Sequence, residues 1–200
     1  MSSRRKHLSL FGCGIIDSVF AANRQKGVDI LLTENKGIYV ANLTPFRGEH
    51  VDIDAMCAHA EFLISAGVTG LCPAGTTGEF LYLSENEKKE IFSALLDAFR
   101  ERVKIICCTW HADSAAMARL CRLVSDKGAD GIFLPPPIYY EFTEGEIISF
   151  YEFVRDNSVV PLYGYNIPKY SHNEISLFAL ERLINSKILS GLKDSSADEQ

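Results

Sequence analysis

The chain of 200 residues has no uninterrupted apolar run as long as a membrane-spanning helix needs. It carries no G-x-G-x-x-G after its first apolar segment, so the fingerprint of a dinucleotide-binding turn is missing. Positive charge is in deficit: 20 Lys and Arg stand against 26 Asp and Glu, a formal net charge of −6. That balance argues against nucleic acid or an anionic membrane as partner. Six cysteines are present, yet none forms a C-x-x-C pair, and Cys107 and Cys108 are adjacent. On a strand those two point to opposite sides, and most of the six lie in apolar segments, where free cysteine behaves as a small hydrophobe. Neither a disulfide framework nor a metal site is expected, and a reducing compartment, the cytoplasm, fits best. Hydrophobic residues make up 47% of the chain, enough for one domain with a large core.

Residues 1–36 read as an N-terminal extension distinct from a domain at 37–200. Arg4, Arg5 and Lys6 precede the apolar run Leu8–Ile16, in the manner of a secretory leader, but Asp17 interrupts that run. Asp29 and Glu34 count against a transit peptide in the same way. A loosely ordered extension, or a start codon read upstream of the true one, is the expectation.

From Gly37 onward, short apolar runs alternate with stretches whose apolar residues recur at helical spacing. The strands are expected at Gly37–Thr44, Thr69–Cys72, Val103–Thr109, Gly131–Leu134, Pro161–Tyr165 and Leu189–Lys193. Helices are expected between them, on faces such as Met56-Ala60-Leu63 and Leu120-Cys121-Val124. Two helices start on Ser84/Glu87 and Thr143/Glu146, each with the spacing of a capping box. Six βα repeats without a linker predict an α/β fold with a parallel sheet. A doubly wound sheet competes with a (β/α)₈ TIM barrel, but polar residues gather at the C-terminal ends of several strands, where barrels place their chemistry. The repeats average about 27 residues, close to the roughly 31 of a complete barrel of about 250 residues.

Three places could carry chemistry. Lys193 ends the sixth strand, on the same side as Gly191, which leaves space below it. An amine held there away from water favours its neutral, nucleophilic form towards a ketone. Taken alone, such a lysine reaches solvent or pairs with Asp194 more often. Tyr165 ends the neighbouring strand, and a phenol there could shuttle protons or simply pack. The turn Gly75-Thr76-Thr77-Gly78-Glu79 offers backbone N–H groups and two hydroxyls in a nest that suits a carboxylate.

Together these segments resemble the dihydrodipicolinate synthase/N-acetylneuraminate lyase family of (β/α)₈ aldolases. The resemblance lies in Gly75-Thr76-Thr77-Gly78-Glu79, Tyr165-Asn166-Ile167-Pro168 and Gly191-Leu192-Lys193-Asp194, three motifs in order and at matching intervals, and Asn42-Leu43-Thr44-Pro45-Phe46 also looks like the family's opening strand. It implies that Lys193 forms an imine with the 2-keto carbon of pyruvate and that Tyr165, assisted by Thr76, moves protons. It implies that the backbone at Thr76 and Thr77 holds the pyruvate carboxylate. It also matches Tyr139 to a tyrosine that extends a proton relay across a subunit contact, although Tyr140 could take that register instead. The protonated imine is the electron sink, so the resemblance implies no metal and no organic cofactor. The implied partners are small molecules, pyruvate and an aldehyde or a longer 2-keto acid. Full-length relatives of this kind are expected to form homo-oligomers, in particular a homotetramer.

The chain departs from that pattern twice. Dihydrodipicolinate synthases usually carry an arginine two residues after the proline of Tyr-Asn-x-Pro, to bind a distal carboxylate; here the position is Tyr170. Tyrosine cannot clamp a carboxylate with two donors, and Lys169 beside it is the available cation. A sugar-acid or other 2-keto-acid aldolase is therefore expected ahead of the synthase. Phe80 and His172 could line the same pocket or serve packing and solvent. Secondly, the sequence stops after the sixth strand, so a barrel truncated there, with open edges at strands one and six, is expected. A non-catalytic remnant that binds a keto acid or a full-length relative is the alternative of another class.

Overall fold

The computed structural model describes residues 36–196, so the reading of the N-terminal extension falls, but for Lys36, outside the described residues. The elements in chain order are β1 (Tyr39–Ala41), β2 (Phe46–Arg47), β3 (His50–Val51), α1 (Ile53–Ser65), β4 (Gly70–Cys72), α2 (Glu85–Phe99) and β5 (Lys104–Cys107). They continue with α3 (Ser114–Asp126), β6 (Gly131–Leu134), α4 (Glu144–Asp156), β7 (Leu162–Asn166), α5 (Pro168–Ser171), α6 (Leu177–Asn185) and β8 (Gly191–Asp194). Six strands form one parallel sheet in the order β1-β4-β5-β6-β7-β8. Each newcomer pairs with the parallel strand before it, and the order never reverses as it does at the switch point of a doubly wound sheet. The sheet is thus six consecutive strands of a (β/α)₈ barrel, as the periodicity predicts.

Local chemistry sets the helix starts. Ser84 and Thr143 each accept from the third helical amide, while Glu87 and Glu146 reach back to the cap amides, completing both expected capping boxes. Asp52 caps α1 by accepting from the Ala55 amide, and that bond with the Arg47 guanidinium holds its carboxyl below the usual range. The first strand is shorter than expected. Only Tyr39–Ala41 pair with β4, and beyond Pro45 the chain turns into the small β2–β3 hairpin, which alternation did not predict.

Alternation along the strands separates a helix-facing side from an interior one. Leu71, Ile105, Ile132 and Leu162 join Met56, Ile91, Leu95, Leu120 and Val154 in the buried core. Tyr151 of α4 donates to the Leu134 carbonyl across this layer. The interior has its own packing. The Tyr39 ring lies where a side chain on Gly70 would stand, and the Tyr163 ring lies against both Gly131 and Gly191. Large rings set beside glycines fill the N-terminal end of the interior, as barrel layers of alternating size do. Gly191 therefore makes room for Tyr163 rather than leaving a space beneath Lys193. Burial, with Tyr163 nearby, pushes the Tyr39 hydroxyl up to about 12.

Candidate active site

Three C-terminal strand ends meet above that tyrosine layer. Strand register places Tyr165 of β7 beside Lys193 of β8, and Phe133 of β6 beside Tyr163. Lys193 is only 5% exposed. Its Nζ lies 4.2 Å from the centre of the Tyr165 ring and 5.1 Å from that of Phe133. Among the described residues its ammonium has no hydrogen-bond acceptor and no ion-pair partner. Asp194, the expected alternative partner, is engaged elsewhere: Asn166 Nδ2 donates to Asp194 Oδ1, and Ser196 binds the same carboxylate. The thiols of Cys72 and Cys108 also feel the Lys193 charge. Burial pushes them up to about 12 and about 11, so both stay protonated at neutral pH and offer no counter-ion.

The glycine turn approaches from the end of β4. Thr76 Oγ1 and the Tyr165 hydroxyl are 3.4 Å apart, joining turn and strand at the mouth of the interior. Within the turn the Glu79 amide donates to Thr76 O and the Phe80 amide to Gly75 O. The Thr76 and Thr77 amides donate to no backbone carbonyl among the described residues, which leaves them free for an anion. The glycines are also required by packing. A Cβ on Gly75 would come within 3.0 Å of the Phe133 ring, and one on Gly78 within 2.9 Å of the Asn42 carbonyl. The left-handed positions are Ala74 and Glu79 instead. Thr44 donates to the Gly78 carbonyl at 2.8 Å, so the segment that follows the first strand braces the turn.

The remaining expected residues lie outside this cluster. Tyr139 is 78% exposed and takes a positive φ of 82°, with its ring edge-on to Tyr140 at 4.9 Å. Tyr170, on α5, is half-exposed, and the Lys169 ammonium sits over its ring at 5.5 Å. Phe80 packs against Trp110 in a T-shaped pair. His172 ends α5 in a left-handed conformation and lines a cavity of about 330 Å³ with Glu141, Glu144 and Glu174, apart from Lys193.

Several contributors were not foreseen. Asn166 belongs to a recognised motif but was given no role; it ties β8 to the chain at Ile175, whose amide donates to Asn166 Oδ1. Asn173 binds the Pro137 and Tyr140 carbonyls through Nδ2 and receives the Phe142 amide on Oδ1, which fixes the Tyr139 loop. Lys88 is a second buried lysine, on α2, and donates to the Trp110 carbonyl. No local pattern marks these residues, because their partners come from distant segments.

The match to known proteins agrees with this geometry. A family model described as the dihydrodipicolinate synthetase family covers residues 34–200. The chain belongs to that family. The 4-hydroxy-tetrahydrodipicolinate synthase of Syntrophus aciditrophicus is 32% identical over 161 residues, which are 80% of this chain and 55% of that protein. YagE, a prophage protein of the same family from E. coli K12 solved in complex with pyruvate, is 28% identical with a TM-score of 0.71, covering 74% of this chain and 50% of that one. A sialic acid aldolase of Ruminococcus gnavus, solved as a catalytic lysine mutant, shares the fold at 19% identity and a TM-score of 0.78, over 82% of this chain and 54% of that one. The chain spans about half the length of the curated relatives it matches. No helix among the described residues is long and apolar enough to cross a membrane.

Proposed function

We propose that this chain is a Schiff-base-forming aldolase or lyase that makes or breaks a carbon–carbon bond between pyruvate and an aldehyde, with a sugar acid or another 2-keto acid as the longer partner. The observation that carries this reading is Lys193: a buried amine on a strand end, without a counter-ion among the described residues, beside a tyrosine that reaches a threonine of an amide-rich turn. The Lys193 amine adds to the 2-keto carbon, and loss of water from the carbinolamine leaves a protonated imine. Tyr165, with Thr76 3.4 Å from its hydroxyl, carries the protons that the oxygen gains and loses. The Thr76 and Thr77 amides hold the carboxylate. A proton leaves C3 to give an enamine, whose C3 then adds to the aldehyde carbon; the lyase direction reverses these steps. Tyr139 would extend the relay from a neighbouring subunit of a homo-oligomer.

A second reading, 4-hydroxy-tetrahydrodipicolinate synthase, is favoured by the names of the curated relatives. Tyr170 argues against it, since one phenol offers a distal carboxylate a single donor. Treatment with pyruvate and borohydride tests the common chemistry, and the expected result is a covalent adduct on Lys193. A folded chain that gives none would instead be a remnant that binds a keto acid or a relative. Among aldehydes, Tyr170→Arg should improve use of an acidic acceptor if that position meets the second substrate.

A further inference from the structure

Phe133 has no part in the steps above, yet it borders Lys193, Tyr165 and the first glycine of the turn. Its side chain stands at 1% exposure on the interior side of β6. The ring tip would lie 3.0 Å from a Cβ on Gly75, so it packs over the first glycine of the carboxylate-binding turn. The ring is 5.8 Å from that of Tyr165, tilted by 57°, and 5.1 Å from Lys193 Nζ. One apolar side chain thus forms the wall between the turn and the amine.

We propose that Phe133 sets the size of the keto acid that Lys193 accepts, favouring an unsubstituted methyl beside the carbonyl over any longer group. This inference rests on the imine-forming reading of Lys193. A keto acid with its carboxylate on the Thr76 and Thr77 amides and its C2 on Lys193 runs from the turn to the amine, and Phe133 lies close to both ends of that path. Two of the three substituents of C2 are then fixed in place, and only C3 is left to vary. The mouth side of C3 must stay open for the aldehyde that the enamine attacks. Any additional carbon on C3 is therefore driven towards the wall, where the ring already stands too close to Gly75 for that residue to carry a side chain without a shift. Glycine at position 75 lets the ring come this close, so turn and wall act as one surface.

The test uses the whole chain with pyruvate, 2-oxobutyrate or 2-oxovalerate, followed by borohydride and mass analysis of the Lys193 peptide. One additional methylene against a packed wall is worth about 10–200-fold in discrimination. The wild type should therefore trap pyruvate at least about 10-fold faster than 2-oxobutyrate, and 2-oxovalerate more slowly still. Phe133→Leu should narrow the pyruvate preference by about 10-fold while pyruvate is still trapped. Phe133→Met, which is slimmer than the ring but close to it in length, carries the same expectation if the leucine variant does not fold. Equal trapping of the three acids by the wild type, or an unchanged ratio in a folded variant, overturns the proposal. No adduct with any acid in the folded wild type overturns the imine reading itself, and the size preference with it.

Discussion

Lys88 and Lys193 are both buried, at 1% and 5% exposure, and both lie close to Cys108, yet their surroundings differ in kind. Lys88 projects from a helix, packs 5.8 Å from the Phe80 ring centre and donates to the Trp110 carbonyl. Burial pulls it down to about 8. Lys193 projects from a strand end and rests on two rings, and among the described residues its amine has no hydrogen-bond acceptor; the Tyr165 ring beneath it carries the hydroxyl that reaches Thr76 of the turn. A buried lysine becomes a candidate nucleophile through what it can reach, and burial alone does not distinguish the two. Its lowered proton affinity makes Lys88 a plausible nucleophile in isolation, but its amine is spent on the Trp110 carbonyl.

The sharpest way to break this contrast is substitution. Lys193→Met should abolish the borohydride-trapped pyruvate adduct, while Lys88→Met should retain it; an adduct on Lys88 in the Lys193→Met protein, or loss of the adduct in Lys88→Met, would reverse the assignment. Tyr165→Phe comes next, because proton transfer by a positioned group is worth about 10²–10⁴-fold. The adduct should still form on Lys193, at a rate lowered by about that factor, as rapid-quench trapping would read. A smaller effect concerns stability. Lys88 binds its proton less tightly when folded than in the unfolded chain, whose ordinary value is 10.5, so the unfolded state holds more protons between about pH 8 and 10.5. The contribution of Lys88 to stability should rise through that window, by on the order of 3 kcal/mol if the full difference is expressed. Melting curves of wild type against Lys88→Met at pH 7.5 and 10 would show it as a difference that grows with pH. Smallest is Gly191→Ala, whose Cβ would stand 3.2 Å from the Tyr163 ring beneath Lys193. Overpacking of this kind costs about 1–3 kcal/mol, and the lower end is expected because the contact is a ring edge; a urea midpoint would measure it.

The parallel sheet, its six strands and the two capping boxes were legible because each is written in a local period or spacing. Lys193, Tyr165 and Thr76 were legible as a group only through a resemblance in three ordered motifs, and the structure brings them to one strand-end cluster. The hairpin after Pro45 was missed because two-residue strands leave no alternation to read. The purpose of Gly191 was misread because its neighbour across the register, Tyr163, is invisible to a pattern that looks along one strand. Phe133, Asn173 and Lys88 escaped for a related reason. Phe133 looks like any strand hydrophobe, Asn173 like a loop polar residue and Lys88 like one of a charged pair with Lys89. Each is defined by groups far away in the chain.

Asn173 carries one more consequence. The segment from Pro135 to Phe142 has neither helix nor strand, so its amides would ordinarily exchange with solvent hydrogen at nearly the rate of an unfolded peptide. Three successive prolines already narrow the shapes available to it before folding. A single buried amide then gathers two of its carbonyls and one of its N–H groups. The Phe142 amide should consequently exchange on the timescale of opening of the barrel wall around it rather than that of a free loop, and Asn173→Ala should return it to the solvent's clock. A stretch that looks like slack between two elements is thereby timed by the domain as a whole.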